Sequence, residues 1–281
     1  MQTFNISQKQ FIMNKIKFYN YSINNIPIEI GKIQGNRISM EDYYFIDTYK
    51  ELIIIMIFDG HGGKTISTNI YKYLNNLHEL IYNYYLTKIS YKSFINSINN
   101  FFVTLDKLFI KYKNEGSTVS IIYISNNTIY HINLGDSKMI YINKSTNPLY
   151  NNILYQSKQH RPKNYNEAKR ILKNNTINNN RIDNKLSVSR TIGDYTYKLY
   201  NNKYNGIISP VSCIPSYKSI TIQNNSYIIL ATDGFWDYIT NYEIFKIINL
   251  NDTHKNNVNN LIFKAIQNGS NDNIILILLE L

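Results

Sequence analysis

The sequence predicts an α+β fold in which helices pack on the outside of β-sheets. Apolar strand patterns come in blocks along the chain, and amphipathic helix patterns fall in pairs between those blocks. No stretch rich in Pro, Gly or Ser divides the chain, and we see no internal repeat. We therefore expect one domain over residues 24–281, preceded by a poorly ordered N-terminal extension over residues 1–23.

The first half of the chain shows the change from strand to helix period most clearly. Two apolar runs, residues 28–33 and 52–58, predict strands, and the second is apolar on both faces, as a strand buried between layers must be. After Gly62-Gly63, apolar residues recur every three or four positions from Ile66 to Ile81, which predicts an amphipathic helix. A second helix follows, with Phe94 to Phe109 on one face.

The second half repeats this alternation, with turn signals such as Asn-Asn and Gly-Asp between neighbouring strands. We expect strands over residues 119–124, 128–134, 138–142, 217–222, 227–232 and 274–279. We expect helices over residues 165–173, 242–250 and 258–267.

Composition restricts the class of protein. The chain has 281 residues, of which 43% are hydrophobic, so it can bury a substantial core and is not globally disordered. Its net charge is +11, from 30 basic and 19 acidic side chains. A basic surface can attract nucleic acid, anionic lipid or phosphorylated protein. The lysines are scattered along the sequence, however, so we expect a solvated basic surface and no specific nucleic-acid partner.

The cysteine count and the lack of long apolar segments indicate the cellular compartment. Cys213 is the only cysteine, so no intrachain disulfide can form and a reducing environment fits. The N-terminus lacks the apolar core of a secretory signal, and the run 52–58 is too short to span a bilayer. We expect a soluble intracellular protein, in the cytoplasm or nucleus, with no transmembrane segment.

Three aspartates stand at the ends of apolar strands. Asp59-Gly60 and Asp233-Gly234 each follow one, and Asp272 comes just before the last. Any one of them could be an ordinary turn residue or, for Asp59, a helix N-cap. Together they suit a hard cation such as Mg²⁺ or Mn²⁺, whereas a single Cys and scattered His argue against structural zinc.

A fourth acidic feature is weaker. Arg37 is followed four residues later by the pair Glu41-Asp42. Adjacent residues on a strand point to opposite faces, so only one of these carboxylates can directly join a given site. A surface strand with salt bridges explains the pattern at least as well.

These features belong to an ordered series of short motifs that resembles the type 2C, metal-dependent family of serine/threonine protein phosphatases. The series runs from Arg37 to Asn273 and reads R-x-x-M-E-D, D-G-H-G-G, G-S-T, N-x-G-D-S, H-R-P, L-S-V-S-R-T-I-G-D, A-T-D-G-x-W-D and G-S-x-D-N. The resemblance implies a central antiparallel β-sandwich flanked by helix pairs on both sides, a four-layer αββα arrangement. It also implies a monomer that hydrolyses phosphoserine and phosphothreonine in proteins by means of a metal-bridged hydroxide.

The resemblance also assigns metal ligands by position. Asp59 would bridge two Mg²⁺ or Mn²⁺ ions. Asp233 and Asp272 would complete the coordination of one ion, and Glu41 with the carbonyl of Gly60 would bind the other.

Three further residues take roles around those ions in the family. Asp42 would hydrogen-bond metal-bound water, and Arg37 would grip the substrate phosphate. His61 would protonate the departing serine or threonine oxygen as general acid. Two other matched segments, Gly135–Ser137 in a hairpin turn and Ser187–Asp194 in a buried helix-turn, are expected to be structural.

The chain departs from the family pattern in two places. Gln159 stands where the family usually has an Asp before its His-Lys-Pro motif, which puts a third, weaker ion in doubt. The glycine pair that often follows the E-x-x-R-I segment is missing after Glu167–Ile171. This puts the neighbouring flap, and any specificity it carries, in doubt.

Two rival interpretations belong to other classes. A pseudophosphatase would be a binding module that kept the fold and lost the metals, but the retained Glu41, Asp59, Asp233 and Asp272 argue against it. A basic nucleic-acid-binding protein is supported by net charge alone. Metal-dependent activity on a phosphate ester tests the first, and salt-dependent binding to nucleic acid tests the second.

Overall fold

The computed structural model describes residues 15–87, 90–143, 152–200, 203–248 and 252–281. Its backbone contacts divide the chain into two compact units. The first unit comprises Met1–Asp42, Ser137–Ser157 and Ile220–Leu281, and the second comprises Tyr43–Asp136 and Lys158–Ser219.

The described residues form two larger antiparallel sheets and a set of helices, which we number in chain order. The strands are β1 (Lys17–Ile23), β2 (Ile26–Ile33), β3 (Tyr43–Tyr49), β4 (Leu52–Phe58), β5 (Val119–Ile124), β6 (Thr128–Leu134), β7 (Lys138–Asn143), β8 (Ile153–Gln156), β9 (Ser216–Thr221), β10 (Ser226–Ala231) and β11 (Ile274–Glu280). The helices are α1 (Thr65–Asn69), α2 (Asn75–Thr87), α3 (Tyr91–Leu108), α4 (Tyr165–Ile171), α5 (Asp233–Trp236), α6 (Asn241–Ile247) and α7 (His254–Gln267).

The first unit is built on a six-stranded sheet with the order β1-β2-β11-β10-β7-β8. Each neighbouring pair in it is antiparallel. Helices α6 and α7 cover the sheet with Ile244, Leu261 and Ile262, which share a buried core with Ile229 and Leu276. Amphipathic helices thus bury their apolar faces on an apolar sheet face, as the 3.6-residue period requires.

The second unit is built on a five-stranded sheet with the order β9-β6-β5-β4-β3. Strands β3 to β6 pair antiparallel in sequence. Helices α2 and α3 place Leu77, Phe94 and Phe102 in one buried core with Ile54 of β4 and Ile121 of β5. Every residue of β4 is buried, so Asp59 follows a strand held on all sides.

The α+β class with antiparallel sheets and packed helices is therefore confirmed. The four-layer αββα stacking stays a prediction from the resemblance, as does the count of one domain. Among the described residues, every helix is too short or too polar to cross a bilayer.

The predicted helix from Ile66 to Ile81 is broken into three parts, α1, a 3₁₀ turn over Ile70–Tyr73, and α2. The apolar period continues through all three, which is why the break is not visible in it. At the end of α1, the side chain of Asn69 donates to the carbonyl of Thr65 at 2.8 Å, and Thr68 donates to Lys64 at 2.6 Å. Such side-chain bonds compete with the helical backbone pattern and favour a change of geometry.

The predicted extension over residues 1–23 overlaps strand β1, which is a correction to the boundary. Lys17–Ile23 pairs residue by residue with β2, from Lys17 opposite Lys32 to Ile23 opposite Ile26. Asn24 and Asn25 form the two-residue turn, both with positive φ (49° and 63°). Asn tolerates this conformation, so Asn-Asn between two runs is a hairpin signal. Residues 1–14 lie outside the described residues.

Candidate active site

In the second unit, the residues that follow β4 are fixed by backbone pairing. The N–H of Asp59 donates to Thr118 Oγ1 at 3.1 Å, and its carbonyl accepts from the N–H of Thr118 at 2.9 Å. Gly60 and His61 then pair with Ser117 and Gly116. The Asp59 carboxylate is therefore presented from backbone that is bonded on both sides.

A second carboxylate of this unit lies in the turn between β6 and β7. Asp136 follows Gly135, whose φ of +112° few other residues could adopt. Asp136 is buried, and Arg161 Nη2 approaches its Oδ2 at 3.3 Å. Carboxylate oxygens of Asp59 and Asp136 lie within 4.8 Å of each other, close enough to share a metal ion. The sequence analysis gave this turn only a structural role.

Gln159 lies beside the same turn. Its amide Nε2 donates to the carbonyl of Asp136 at 2.7 Å, and the next residue, His160, accepts from the N–H of Gly135 at 3.0 Å. The side chain of Gln159 thus holds the backbone from which the Asp136 carboxylate projects. The prediction that Gln159 weakens a third metal site stays a prediction.

The predicted general acid of the second unit, His61, pairs with Asp194. Nε2 of His61 lies 2.8 Å from Oδ1 and 2.9 Å from Oδ2 of Asp194. Asp194 also accepts from Thr191 Oγ1 at 2.6 Å. Burial alone would raise the pKa of Asp194, but His61, Thr191 and the charge of Lys198 together hold this pKa below its ordinary value.

Gly116 makes room for this pair. A Cβ at that position would lie 2.2 Å from Asp194 Oδ2 and 2.4 Å from His61 Nε2, far inside van der Waals contact. The glycine is therefore required by the side chains that meet over it.

Sequence reasoning missed the role of Asp194, because it assigned Ser187–Asp194 to a buried helix-turn. The segment contains no helix. Ile192–Gly193 is a short strand paired with Gly116–Ser117, and Asp194 has a left-handed φ of 55° before a 3₁₀ turn begins at Tyr195. This pairing brings Asp194 to His61 across 133 positions of sequence. The Gly-Asp pair in the motif was the only local signal.

In the first unit, the residues before β3 and β11 are bound to each other. The N–H of Glu41 donates to Asn273 Oδ1 at 2.7 Å, and Asn273 Nδ2 donates to the carbonyls of Gln34 and Ser39 at 2.7 and 3.0 Å. The motif residues at the two ends of the sequence thus meet through one buried amide.

Asp233 is brought to the same place by close backbone packing. It opens helix α5 directly after the buried strand β10. A Cβ at Gly234 would lie 2.2 Å from the carbonyl of Asn273, so only glycine allows this approach. Ser270 Oγ further donates to the carbonyl of Gly234 at 2.6 Å.

Asp42 is the electrostatic centre of this group. It is buried, and its Oδ2 has no hydrogen-bond partner among the described residues. Burial raises the pKa of Asp42 well above its ordinary value; a hydrogen bond from Thr232 opposes this rise, and the charges of Asp233 and Asp272 add to it. A buried, incompletely satisfied carboxylate beside two others is an arrangement that a cation or its bound water would relieve.

Arg37 contacts one of the predicted ligands. Its Nη2 forms an ion pair with Asp272 Oδ2 at 2.6 Å, with the Arg37 side chain 61% exposed and that of Asp272 31% exposed. The side chain predicted to bind phosphate is therefore ion-paired with a carboxylate oxygen predicted to bind a metal ion. Metal binding at Asp272 would compete with this ion pair.

The predicted residues accordingly fall into two groups, each assembled within one unit. The first unit brings together Arg37, Glu41, Asp42, Asp233 and Asp272, and the second brings together Asp59, Gly60 and His61. The second unit adds Asp136 and Asp194, which sequence reasoning did not select.

Comparisons with known proteins identify the family. The family model described as Protein phosphatase 2C matches residues 27–274. Human "Protein phosphatase 1B" is 25% identical over 283 residues, covering 91% of this chain but 57% of the human protein. "Probable protein phosphatase 2C 4" of Paramecium tetraurelia is 25% identical over 239 residues, covering 78% of this chain and 75% of that protein.

Solved structures show the same fold. The serine-threonine phosphatase 2C from Toxoplasma gondii superimposes with a TM-score of 0.72 at 17% identity, covering 94% of this chain and 98% of that one. The family match extends over most of the sequence and contains both groups of acidic residues. This chain belongs to the protein phosphatase 2C family.

Proposed function

We propose that this chain hydrolyses phosphoserine and phosphothreonine in proteins with the help of bound divalent metal ions. The proposal rests on one observation. This chain of the family keeps its carboxylates, and the fold holds them in place in two groups. A binding module without chemistry would gain nothing from keeping Asp42 buried beside Asp233 and Asp272.

The proposed metal ligands are the carboxylates of Asp59, Glu41, Asp233 and Asp272 and the carbonyl of Gly60. We propose two ions, Mg²⁺ or Mn²⁺, because all of these donors are oxygens. Asp136 is added to the set, since its carboxylate lies close enough to that of Asp59 to share an ion. When bound, such ions would activate water for attack on phosphorus and offset the charge of the phosphate.

His61 is proposed to deliver a proton to the leaving oxygen, and the structure suggests from which atom. Nε2 faces the Asp194 carboxylate at 2.8 and 2.9 Å. With Nε2–H donating to Asp194, the nitrogen that can serve the substrate is Nδ1.

Arg37 is proposed to bind the substrate phosphate. Its guanidinium is largely exposed and presents several N–H donors, a geometry that suits phosphate oxygens. Asp42 is proposed to accept from the water that the ions hold, which would satisfy its Oδ2.

The test is hydrolysis of a phosphothreonine peptide by the purified chain with Mg²⁺, with Mn²⁺, and with excess chelator. We expect turnover that depends on added metal and that Asp59→Asn or Asp233→Asn nearly abolishes. Full activity in chelator would contradict the metal assignment. Metal binding by calorimetry without any turnover would instead identify a pseudophosphatase.

The finer predictions of a monomer and an intracellular location are kept as proposals. The buried thiol of Cys213, whose pKa burial raises to about 11, is unreactive and compatible with a reducing compartment. Light scattering of the purified chain and imaging of the tagged chain in cells would test them.

A further inference from the structure

The positive charge of this chain is concentrated in one segment. Residues 158–203 contain 11 Lys and Arg and 3 Asp and Glu, a net charge of +8 out of +11 for the whole chain. The segment lies within the second unit. The segment holds 11 of the 30 basic side chains but only 3 of the 19 acidic ones, so its net charge is high because carboxylates are few.

The three acidic side chains of this segment are used internally and none is exposed. Glu167 is buried and pairs with Arg170 at 2.8 Å and with Arg190. Burial would raise the pKa of Glu167, but the bonds and charges of those two arginines lower it to about 2. Asp183 accepts from the N–H of Thr176 at 2.9 Å, and Asp194 holds His61. Two of the three carboxylates are buried and Asp183 is half-buried, so basic side chains outnumber carboxylates on the solvent side of the segment.

Five basic side chains of this segment are exposed on a small substructure, which we call the basic lobe. Its exposed cations are Lys163, Lys169, Lys173, Arg181 and Lys185. None of them forms a salt bridge with another described residue. Lys169 lies on α4, and Lys173 lies in the turn that follows its last residue, Ile171.

The lobe is held together by its own core and hydrogen bonds. Ile171 at the end of α4 packs in one buried cluster with Ile182 and Val211. The N–H of Lys163 donates to Asn180 Oδ1 at 3.0 Å, next to Arg181. The guanidinium of Arg181 in turn donates to the carbonyl of Lys185 at 2.6 Å. The exposed cations therefore project from a substructure of fixed geometry.

The lobe is connected to the catalytic histidine by a short path within the second unit. Arg170 of α4 donates to the carbonyl of Ser189 at 2.6 Å. Two residues further on, Thr191 donates to Asp194, whose carboxylate contacts His61. Helix α4 therefore contacts the same short segment, Ser189–Asp194, that contacts His61.

We infer that the basic lobe binds acidic side chains that flank the phosphorylated residue of a protein substrate. The inference rests on the proposed function and specifies its substrate class. Exposed cations that form no salt bridge attract carboxylates at long range. Nucleic acid and anionic lipid carry the same charge, and the test separates them.

The experiment compares two phosphothreonine peptides of equal length, one with Asp and Glu on both sides of the phosphorylated residue and one with Ser and Gln there. For the wild-type chain, we expect kcat/KM to favour the acidic peptide, and the preference to fall as salt is raised. The double variant Lys169→Gln, Lys173→Gln should lower this preference by about 3- to 10-fold. The matched control is Lys92→Gln, Lys218→Gln, two exposed lysines of the same unit, and it should leave the preference unchanged.

A second double variant, Lys163→Gln with Lys185→Gln, controls for the possibility that the first one disturbs the local fold. It should lower the preference by a similar factor, and neither lobe variant should change hydrolysis of a small aryl phosphate. Equal kcat/KM for the two peptides in the wild-type chain would overturn the inference while leaving the phosphatase proposal intact. No hydrolysis of either peptide would contradict the proposed function itself.

Binding of the wild-type chain to anionic vesicles or to single-stranded RNA is measured in the same buffer. If either ligand competed with the acidic peptide and lost affinity in both lobe variants, the lobe would be assigned to that ligand and the inference would fail. If neither vesicles nor RNA changed peptide hydrolysis, the result would support the inference that the lobe binds acidic side chains of the substrate.

Discussion

At the scale of single residues, the chemistry depends on which nitrogen of His61 faces the substrate. Nε2 is occupied by a buried carboxylate that accepts from Thr191 as well. We therefore propose Asp194 as a positioning residue that fixes the orientation of the imidazole. Its left-handed φ of 55° is held by a backbone bond from its N–H to the carbonyl of Glu115 at 2.9 Å. The local strain is thus maintained by the surrounding structure.

We expect His61→Gln to lower turnover of a phosphothreonine peptide by roughly 10²-fold or more. An activated aryl phosphate, whose leaving oxygen needs no proton, should lose far less. The measurement is kcat on both substrates at saturating metal. Equal losses on the two would indicate that His61 acts through position or through the metal site.

We expect Asp194→Asn to reproduce this pattern in weaker form, with a loss of about 10-fold on the peptide. The amide oxygen can still accept from Nε2–H, but the amide can also turn its NH₂ group toward the ring, so the ring is no longer held in one orientation. The double variant with His61→Gln should lose no more than His61→Gln alone, because the two residues act as one unit. Additive losses would contradict the positioning role, and thermal unfolding of each variant controls for stability.

The site residues that could be selected from the sequence differ from the others in their local sequence pattern. Asp59 and Asp233 could be selected because each follows a continuous apolar run, which predicts a strand buried on both faces. Asp194 could not, since its partner is 133 positions away and its own segment has no periodic pattern. Asp136 looked like a turn residue, which it is, and its burial was not visible in the sequence.

At the scale of elements, helix α3 is tied to the segment that carries Asp194 by a buried ion pair. Lys198 Nζ lies 2.9 Å from Asp106 Oδ2, and both side chains are 0% exposed. Asp106 also accepts from the N–H of Gly193 at 2.8 Å and from Tyr204 at 2.7 Å. The carboxylate is thus fully satisfied in a dry environment, which offsets its desolvation.

We expect Lys198→Met to destabilise the fold by about 3–5 kcal/mol, because Asp106 would remain buried without its counter-charge. Chemical denaturation measures the change, and Lys92→Met, an exposed lysine on the same helix, is the control with an expected effect within about 0.5 kcal/mol. A loss as small as the control's would show that water or a proton replaces the lysine easily.

Sequence patterns located most of these elements, and the misses have physical causes. Strands β4, β5 and β6 begin and end where their apolar runs do. Strand β1 was missed because it is mostly exposed, with only Phe18 and Ile23 half-buried, so it lacks an alternating apolar face. The Lys198–Asp106 pair joins positions 92 residues apart and leaves no local trace at all.

At the scale of the whole molecule, two opposite charge distributions coexist. The net charge of +11 lies mainly in residues 158–203, whereas the candidate active site gathers carboxylates. In the first unit, burial raises the pKa of Asp42 and the charges of Asp233 and Asp272 raise it further, so negative charge on these three carboxylates is mutually unfavourable in the folded state. This repulsion reduces the stability of the fold, and divalent ions would remove it.

We therefore expect Mg²⁺ and Mn²⁺ to raise the midpoint of thermal unfolding. An ion that binds only the folded state at 100 times its dissociation constant stabilises that state by about 2.7 kcal/mol, which for a chain of this size is a shift of roughly 5 °C. Scanning calorimetry with each ion and with chelator measures the shift, independently of any phosphatase assay. KCl at equal ionic strength controls for screening, and Asp59→Asn and Asp233→Asn should each abolish most of the shift. Because removing one negative charge also relieves repulsion, neither variant should unfold earlier than the wild-type chain in chelator. A shift that persists in both variants would place the stabilising ion elsewhere, and the ligand set proposed here would be wrong.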